Sequence, residues 1–368
     1  MWLRRGLGAL LAPARRLRRR AAALTAVSDD TLYAFYDLQV APITYDVSWF
    51  AATAELERRR QGLASLYFVI VPGKKGGARE ERAAYEAAVD ITARLWRLHN
   101  VVVPVLTLVP ACTGYTILPS RAAAAPLRAA AGRRVYPSYY EPGFPVAHHP
   151  SELLNAARTG EREIGVLRSS VQGLRYIERW MEPRLRGRRL ITITVRDYAF
   201  MMRRNSNMEA WMMFAKRLDP TRYLPVFVLG TERTLDPRPA PMEGFEVFGE
   251  ASWNVGLRMA LYESSYLNLG VNNGPLFMCV MDSRTRLLVF KIITASVPQT
   301  TEEFMSQLGF KIGGQLPFAT PFQRLVWEED TLQVIEREFA AMVALIDASE
   351  RMVATDTSGE GDAACGSN

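Results

Sequence analysis

The sequence predicts an α/β chain of two doubly wound domains, each a parallel β-sheet with helices on both faces. The 368 residues are 49% hydrophobic, which suffices for two cores. Continuous apolar runs such as Ser65–Val71 alternate with helix-like segments, a pattern typical of parallel strands buried on both faces. The alternation stops at the polar segment Arg184–Arg189 and then restarts, so we expect a domain boundary there.

The first half alternates strands and helices from Thr31 onward. In chain order we predict strand Thr31–Leu38, helix Val47–Arg60, strand Ser65–Val71, helix Glu80–Leu98 and strand Val101–Val109. Gly132–Pro150 is dense in proline, glycine and tyrosine, which predicts an irregular connection. The first domain is therefore predicted to span residues 28–150. Residues 151–189, with a helix over Val171–Arg184, form a connecting segment.

The second half repeats the pattern. The predicted strands are Leu190–Val195, Leu224–Leu229, Phe245–Phe248, Tyr266–Val271 and Leu287–Ile293. The predicted helices are Met208–Leu218, Val255–Ser264, Leu276–Met281 and Thr331–Ile346. Residues 190–346 thus read as a second Rossmann-like domain. The small polar residues 347–368 predict a disordered tail.

The net charge of +7 comes from the N-terminus. Residues 1–27 contain seven arginines and no acidic residue; removing these seven from the 45 basic residues leaves 38, equal to the number of acidic residues. This basic N-terminal segment is a disordered start, a basic amphipathic segment on an anionic membrane surface, or a targeting peptide. We expect a cytoplasmic protein, with peripheral contact at the inner face of a membrane under the second hypothesis.

The composition excludes several classes of protein. The neutral remainder of the chain argues against nucleic acid as a partner. Three histidines argue against a metal site, and three unpaired cysteines against a disulfide framework. No run of about 18 apolar residues suggests a membrane-spanning helix. Neither domain has the glycine spacing of a nicotinamide-binding turn, and Gly73–Gly77 lacks that of a P-loop.

The turn Arg196–Asn207 is the first candidate site. It follows a predicted strand, and ligands of open parallel sheets bind outside the carboxyl ends of strands. Arg196, Arg203, Arg204 and Asn205 bring positive charge and an amide, and Ser206 with Glu209 fits a capping box that opens a helix. Backbone N–H groups at a helix start attract anions, so the turn suits a diphosphate. The alternative is a solvated loop.

The turn Gly270–Pro275 is the second candidate site. Gly274 permits close backbone approach, and Pro275 suits the first helical position. Asn272 and Asn273 have donors and acceptors for hydroxyls or phosphates. The alternative is an ordinary strand-to-helix turn.

The segment Tyr266–Pro275 (YLNLGVNNGP) resembles the donor-binding domain of GT-B-type glycosyltransferases, in the branch that includes heptosyltransferases. In that branch a strand is followed by an Asn/Asp/Ser-Gly-Pro-type turn, and an early basic turn, to which Ile191–Asn207 is similar, helps hold the nucleotide-sugar diphosphate. The resemblance implies two Rossmann-like domains facing a cleft, the first binding a glycan or glycolipid acceptor. It also implies inverting, metal-independent sugar transfer to a hydroxyl, in cell-surface polysaccharide or glycolipid assembly, with nucleotide-sugar as co-substrate and no cofactor.

Such a transfer needs a base for the acceptor hydroxyl. Asp37, at the end of the first strand, is the candidate, whereas Asp46 is expected to cap the following helix. Glu250 follows a donor-domain strand and would hold a ribose hydroxyl or act as the base. Lys311 and Gln315 lie in a glycine-rich segment that either returns to the cleft or is a packed connecting loop.

Two other functions remain open. A sugar-nucleotide epimerase also uses two Rossmann-like domains, but it requires paired acid and base residues that the sequence does not identify. A non-catalytic relative that binds nucleotide-sugar or a partner protein would need no base at all.

Overall fold

The computed structural model describes residues 28–161, 163–230 and 242–359, with side chains up to residue 352. The chain forms two compact units. Of the described residues, the N unit comprises those up to Ile43, then Thr53–Leu98 and Val109–His148. The C unit comprises Thr44–Ala52, His99–Leu108 and the described residues from His149 onward. The predicted connecting segment, residues 151–189, therefore belongs to the C unit, as do two short segments from the first half of the chain.

The sheet of the N unit has four parallel strands in the order β3-β2-β1-β4. The strands are β1 Thr31–Asp37, β2 Ser65–Val71, β3 Cys112–Ile117 and β4 Val135–Tyr136. The helices in this half of the chain are α1 Val47–Arg60, α2 Ala83–Ala88, α3 Ile91–Arg97, α4 Val103–Leu106 and α5 Ala124–Ala131. Asp37 is paired in register with Val71, so it lies at the carboxyl edge of the sheet.

The predicted strand Val101–Val109 is wrong. A π-helical turn over Leu98–Val102 leads directly into α4, and the third strand of the sheet is β3 instead. Pro104 is tolerated in the first turn of α4, where its missing N–H has no partner in any case. Val102, Val105 and Leu106 are fully buried, and periodicity does not separate a short buried helix from a buried strand.

The sheet of the C unit has six parallel strands in the order β10-β9-β8-β5-β6-β7. The strands are β5 Arg189–Thr194, β6 Tyr223–Val228, β7 Glu246–Val247, β8 Leu267–Val271, β9 Leu287–Phe290 and β10 Gln323–Leu325. The helices are α6 Ser151–Arg158, α7 Val171–Leu185, α8 Met208–Arg217, α9 Val255–Ser264, α10 Phe277–Val280, α11 Glu302–Gln307 and α12 Leu332–Gly359. Counted from β5, this is the Rossmann strand order, with its switch point between β5 and β8. The two parallel sheets confirm the predicted fold class, two Rossmann-like α/β units.

Both faces of the C-unit sheet are covered by apolar side chains. On one face Trp211 and Phe214 of α8 pack with Phe339 of α12 against the strands. On the other face Ile177 of α7 and Ala260 of α9 pack against β6. Each large side chain buried in this way contributes about 1.5–3 kcal/mol.

The last helix extends past Ile346, where the sequence predicted it to end. Beyond that residue two carboxylates of the helix pair with Arg189 at the start of β5, Asp347 at 2.8 Å and Glu350 at 3.4 Å. These ion pairs hold a polar stretch that lacks the apolar stripe of a buried helix. Residues 347–359 are therefore helical, and residues 360–368 lie outside the described residues.

Within the three described ranges, no helix combines the length and the hydrophobicity that crossing a bilayer requires. The basic N-terminal segment, residues 1–27, lies outside those ranges, so its contact with a membrane stays a prediction.

Candidate functional site

The two candidate turns begin side by side at the switch point of the C-unit sheet. Thr194 of β5 is paired in register with Gly270 of β8. A Cβ atom on Gly270 would lie 2.4 Å from the carbonyl oxygen of Thr194, so this pairing requires glycine. The carboxyl ends of adjacent parallel strands that turn in opposite directions open a crevice for ligands. Both turns singled out in the sequence therefore lie at the switch point, where a sheet of this kind binds its ligand.

Arg196 holds the first turn in shape. Its guanidinium donates to the carbonyls of Phe200 (2.7 Å) and Met201 (3.1 Å) and to the side-chain oxygen of Asn205. The neck of the turn is closed by Ser206, whose hydroxyl accepts from the Arg196 N–H and whose N–H donates to the Arg196 carbonyl, both at 2.9 Å. Arg196 and Asn205 therefore act as an internal brace, whereas the sequence predicted them as ligands of a diphosphate.

Arg203 and Arg204 are the remaining cations of this turn. Arg203 is exposed, and no hydrogen bond or ion pair ties it to another described residue. Arg204 donates through Nη2 to the carbonyl oxygen of Asn272 at 3.0 Å, which joins the turn after β5 to the turn after β8. Burial lowers the pKa of Arg204, and nearby Asp46 opposes that shift. The guanidinium stays protonated at neutral pH, so it brings a positive charge to the switch point.

The start of α8 is already occupied by a carboxylate of the chain. Asn207 caps the helix, since its side-chain oxygen accepts from the Ala210 N–H at 3.2 Å. Oδ2 of Asp330 accepts from the Asn207 N–H (2.7 Å) and the Trp211 indole N–H (2.9 Å). Burial raises the pKa of Asp330, and these hydrogen bonds oppose the shift. The predicted capping box at Ser206 is absent, because Asn207 is the N-cap, and the Asp330 carboxylate lies beside the helix start, where a bound anion was predicted.

Both asparagines of the second turn are used to hold it. Asn272 donates its N–H to the carbonyl of Phe290 and its Nδ2 to that of Ile292, both at 2.9 Å. Asn273 caps the 3-10 turn Gly274–Leu276, which contains Pro275, because its side-chain oxygen accepts from the Leu276 N–H at 3.4 Å. These hydrogen bonds hold the backbone of the turn in place, including the Asn272 carbonyl that accepts from Arg204.

Tyr45 and Asp46 lie against these turns, in the Thr44–Ala52 segment of the C unit. A Cβ atom on Gly274 would lie 2.9 Å from Cβ of Tyr45, so the close approach predicted at this glycine is made by a tyrosine. Asp46 is exposed, and its charge raises the pKa of Arg204. Its Oδ2 accepts from the Thr44 hydroxyl at 2.9 Å. A solvent-accessible carboxylate thus lies within electrostatic reach of the switch point.

Asp37, the predicted base, is buried in the N unit, and its carboxylate accepts four hydrogen bonds. It is 3% exposed and pairs with Arg121 through both oxygens, at 2.6 and 3.0 Å. The Tyr140 hydroxyl (2.9 Å) and the Gln39 N–H (2.9 Å) also donate to it. Burial, and then the charge of Asp37, raise the pKa of Tyr140. A proton on Asp37 would leave the Arg121 guanidinium without its counter-ion.

The other predicted residues lie outside these two turns, on other turns and loops of the C unit. Glu250 is partly exposed on the 3-10 turn after β7, two strands from β5. Gln315 pairs with the backbone of Leu325 in β10, donating at 2.9 Å and accepting at 2.6 Å, as in the packed connecting loop that was the alternative to a ligand contact. Lys311 is exposed.

Lys291 was missed by the sequence analysis. It follows β9 directly, in a left-handed conformation with φ of 54°, and its Nζ lies 3.5 Å from the Asn205 carbonyl oxygen. The predicted strand ran on to Ile293, which hid the fact that this lysine lies at the carboxyl edge of the sheet. A lysine that interrupts an apolar run after a strand is the signal that would have found it.

An apolar cavity of about 340 Å³, including its open mouth, adjoins the second turn. Its lining includes Leu276, Phe277, Met305 and Phe310, with Asn272 and Asn273 as the polar members. No cation lines it, so it does not match a diphosphate.

No protein-family model matches the chain, and no curated protein matches it. Solved structures resemble it at 10% sequence identity. A glycosyl transferase family 9 protein from Veillonella parvula DSM 2008 has a TM-score of 0.47, covering 72% of this chain and 82% of that one. The E. coli ADP-heptose LPS heptosyltransferase II has a TM-score of 0.49, covering 86% and 99%. The wall teichoic acid polymerase TagF has a TM-score of 0.28, covering 93% and 91%.

The first two structures belong to the class of enzyme that the segment Tyr266–Pro275 resembles.

Proposed function

We propose that the chain is a glycosyltransferase that moves a sugar from a nucleotide-sugar to a hydroxyl acceptor. The observation that carries this proposal is the contact between Arg204 and Asn272 at the switch point of a Rossmann-ordered sheet. This contact brings a partly buried cation to the position where such sheets bind nucleotides, and exposed Arg203 adjoins it in sequence.

The chemistry proposed for this position is stabilisation of the departing nucleoside diphosphate. Cleavage of the sugar–phosphate bond places negative charge on the leaving phosphate, and fixed cations in a partly desolvated site lower the energy of that charge. Arg203 and Arg204 supply these positive charges. Glu250, at the same edge of the sheet, would accept hydrogen bonds from ribose hydroxyls.

Asp46 suits the role of base better than Asp37. A base must be able to reach the acceptor hydroxyl. Asp46 is exposed and near Arg204, whereas Asp37 is buried. In this mechanism Asp46 removes the hydroxyl proton as the acceptor oxygen attacks the anomeric carbon and the diphosphate leaves.

The finer parts of the proposal are inversion at the anomeric carbon, independence of metal and a glycan or glycolipid acceptor. Turnover that persists in EDTA would support metal independence. Proton NMR of the first product formed would report its anomeric configuration. Peripheral membrane contact through residues 1–27 is tested by vesicle sedimentation of the full chain against a chain lacking them.

Thermal shift with nucleoside diphosphates and nucleotide-sugars tests the donor site, because a ligand of the folded state raises the melting temperature. We expect one nucleotide family to stabilise the wild type, with a smaller shift in Arg203→Ala and in Arg204→Met. Arg217→Ala, an exposed arginine at the far end of α8 paired with Glu336, is the matched control and should respond like the wild type. No shift with any nucleotide would contradict the proposal.

A non-catalytic nucleotide-sugar-binding protein is the second candidate. The complete pairing of Asp37 favours it, because that residue then serves structure alone. Binding without release of nucleoside diphosphate, with every acceptor tried, would select this candidate.

A further inference from the structure

Lys291 is fixed at the switch point by its two neighbours in sequence. The carbonyls of Phe290 and Ile292 accept from the backbone and the side chain of Asn272. Lys291, between them, has a φ of 54°, in the left-handed region that side chains other than glycine rarely adopt. Such conformations persist where surrounding contacts enforce them, and they cluster at functional sites.

The ammonium of Lys291 is held mainly by a carboxylate that can leave. Its side chain is 12% exposed, and Nζ lies 2.9 Å from Oε2 of Glu329, whose side chain is 60% exposed. Oδ1 of Asp330 is farther away, at 3.8 Å, and the other oxygen of that residue is committed to the start of α8. Because Glu329 is exposed, it is able to move into solvent, and an anion that replaced it at Nζ would leave no unpaired charge behind.

The same ammonium borders the arginine turn. Nζ lies 3.5 Å from the carbonyl of Asn205, the residue after Arg204. Arg204 in turn reaches Asn272, which is bonded on both sides of Lys291. The contacts form a closed ring that joins the turns after β5, β8 and β9, and two cations lie on it.

We propose that Lys291 binds the diphosphate of the donor and that Glu329 holds its ammonium until the donor arrives. This inference rests on the proposed function and extends its site by one residue. Phosphate oxygens have the same charge sign and acceptor chemistry as the Glu329 carboxylate, and lysine binds phosphate as a compact charge with three N–H donors. The exchange is non-covalent: one anion replaces another at Nζ.

Titration calorimetry with UDP, ADP, GDP and CDP on the full chain tests the proposal. For whichever diphosphate binds, Lys291→Met should weaken binding about tenfold or more, as expected for loss of a charged hydrogen-bond donor. Glu329→Gln should tighten binding, because no carboxylate competes. Lys75→Met is the matched control: Lys75 pairs with Glu86 at 3.1 Å in the N unit, and its loss should leave binding unchanged. The parent nucleoside, which lacks phosphate, should bind all variants equally.

The outcomes separate the two proposals. If the wild type binds a diphosphate and both Lys291→Met and Glu329→Gln bind it with the same affinity, the role of Lys291 is overturned and the proposed function stands. A wild type that binds none of the four would overturn the proposed function, and the role of Lys291 with it. If Lys291→Met does not fold, Glu329→Gln decides alone: tighter binding supports the exchange, and unchanged binding rejects it.

Discussion

Replacing Asp37 with asparagine removes the negative charge that holds Arg121, while the side chain keeps its size. The carboxylate accepts four hydrogen bonds, two from Arg121, one from Tyr140 and one from the Gln39 N–H. Removing one partner of a buried ion pair costs about 3–5 kcal/mol, because the other charge is left uncompensated. The Arg121 side chain is 20% exposed and keeps its bonds to two carbonyls, so we expect the low end, about 3 kcal/mol.

Urea-induced unfolding followed by circular dichroism measures this loss. Asp219→Asn is the matched control, because Asp219 is exposed and bonds only locally to Thr221, so its change should stay within about 0.5 kcal/mol. The double variant Asp37→Asn with Arg121→Met should recover part of the loss, since no charge remains unpaired.

The refuting result is specific. The free energy of unfolding of Asp37→Asn could lie within about 0.5 kcal/mol of the wild-type value while turnover is abolished. In that case Asp37 is the base that the sequence predicted, and its structural role is wrong.

Three further changes test other parts of the account. Gly270→Ala places a Cβ atom 2.4 Å from the Thr194 carbonyl, so it should cost about 1–3 kcal/mol in the same urea assay, and a neutral result would contradict the register at the switch point. Burial raises the pKa of Asp330 in the folded state, so its contribution favours folding at low pH and is lost as pH rises through the folded pKa. The stability of the wild type relative to Asp330→Asn should therefore fall from about pH 4 toward neutrality, and a flat difference in urea titrations would refute this. Asp46→Asn should reduce the rate of sugar transfer about 100-fold or more with little change in nucleotide affinity, and unchanged turnover would exclude Asp46 as the base.

Local patterns in the sequence predicted much of the fold. The bounds of Val47–Arg60, Ser65–Val71 and Val255–Ser264 agree with the structure. Pro72 and Gly73 end the continuous apolar run of the strand, and Asp46 and Asn254 precede the two helices. The turns after β5 and β8 were located because strand ends followed by arginine, asparagine and glycine are visible in the sequence itself.

The contacts made by the side chains of the site could not be predicted from the sequence, because they join residues that are distant in the chain. Asp330 bonds Asn207 across 123 positions, and this contact decides that the start of α8 holds a carboxylate of the chain. Arg204 finds Asn272 across 68 positions. The brace made by Arg196 is local, but nothing in the sequence tells a guanidinium that binds its own loop from one that faces a ligand.

The central claim is that the switch point binds the diphosphate of a sugar donor. Its most direct test is incubation of the full chain with a panel of nucleotide-sugars, with mass spectrometry of the released nucleoside diphosphate in the presence of hydroxyl acceptors. The account predicts that one nucleotide-sugar is consumed, that Arg204→Met loses most of this turnover and that Arg217→Ala keeps it. Equal turnover in Arg204→Met and the wild type would contradict the proposed donor site.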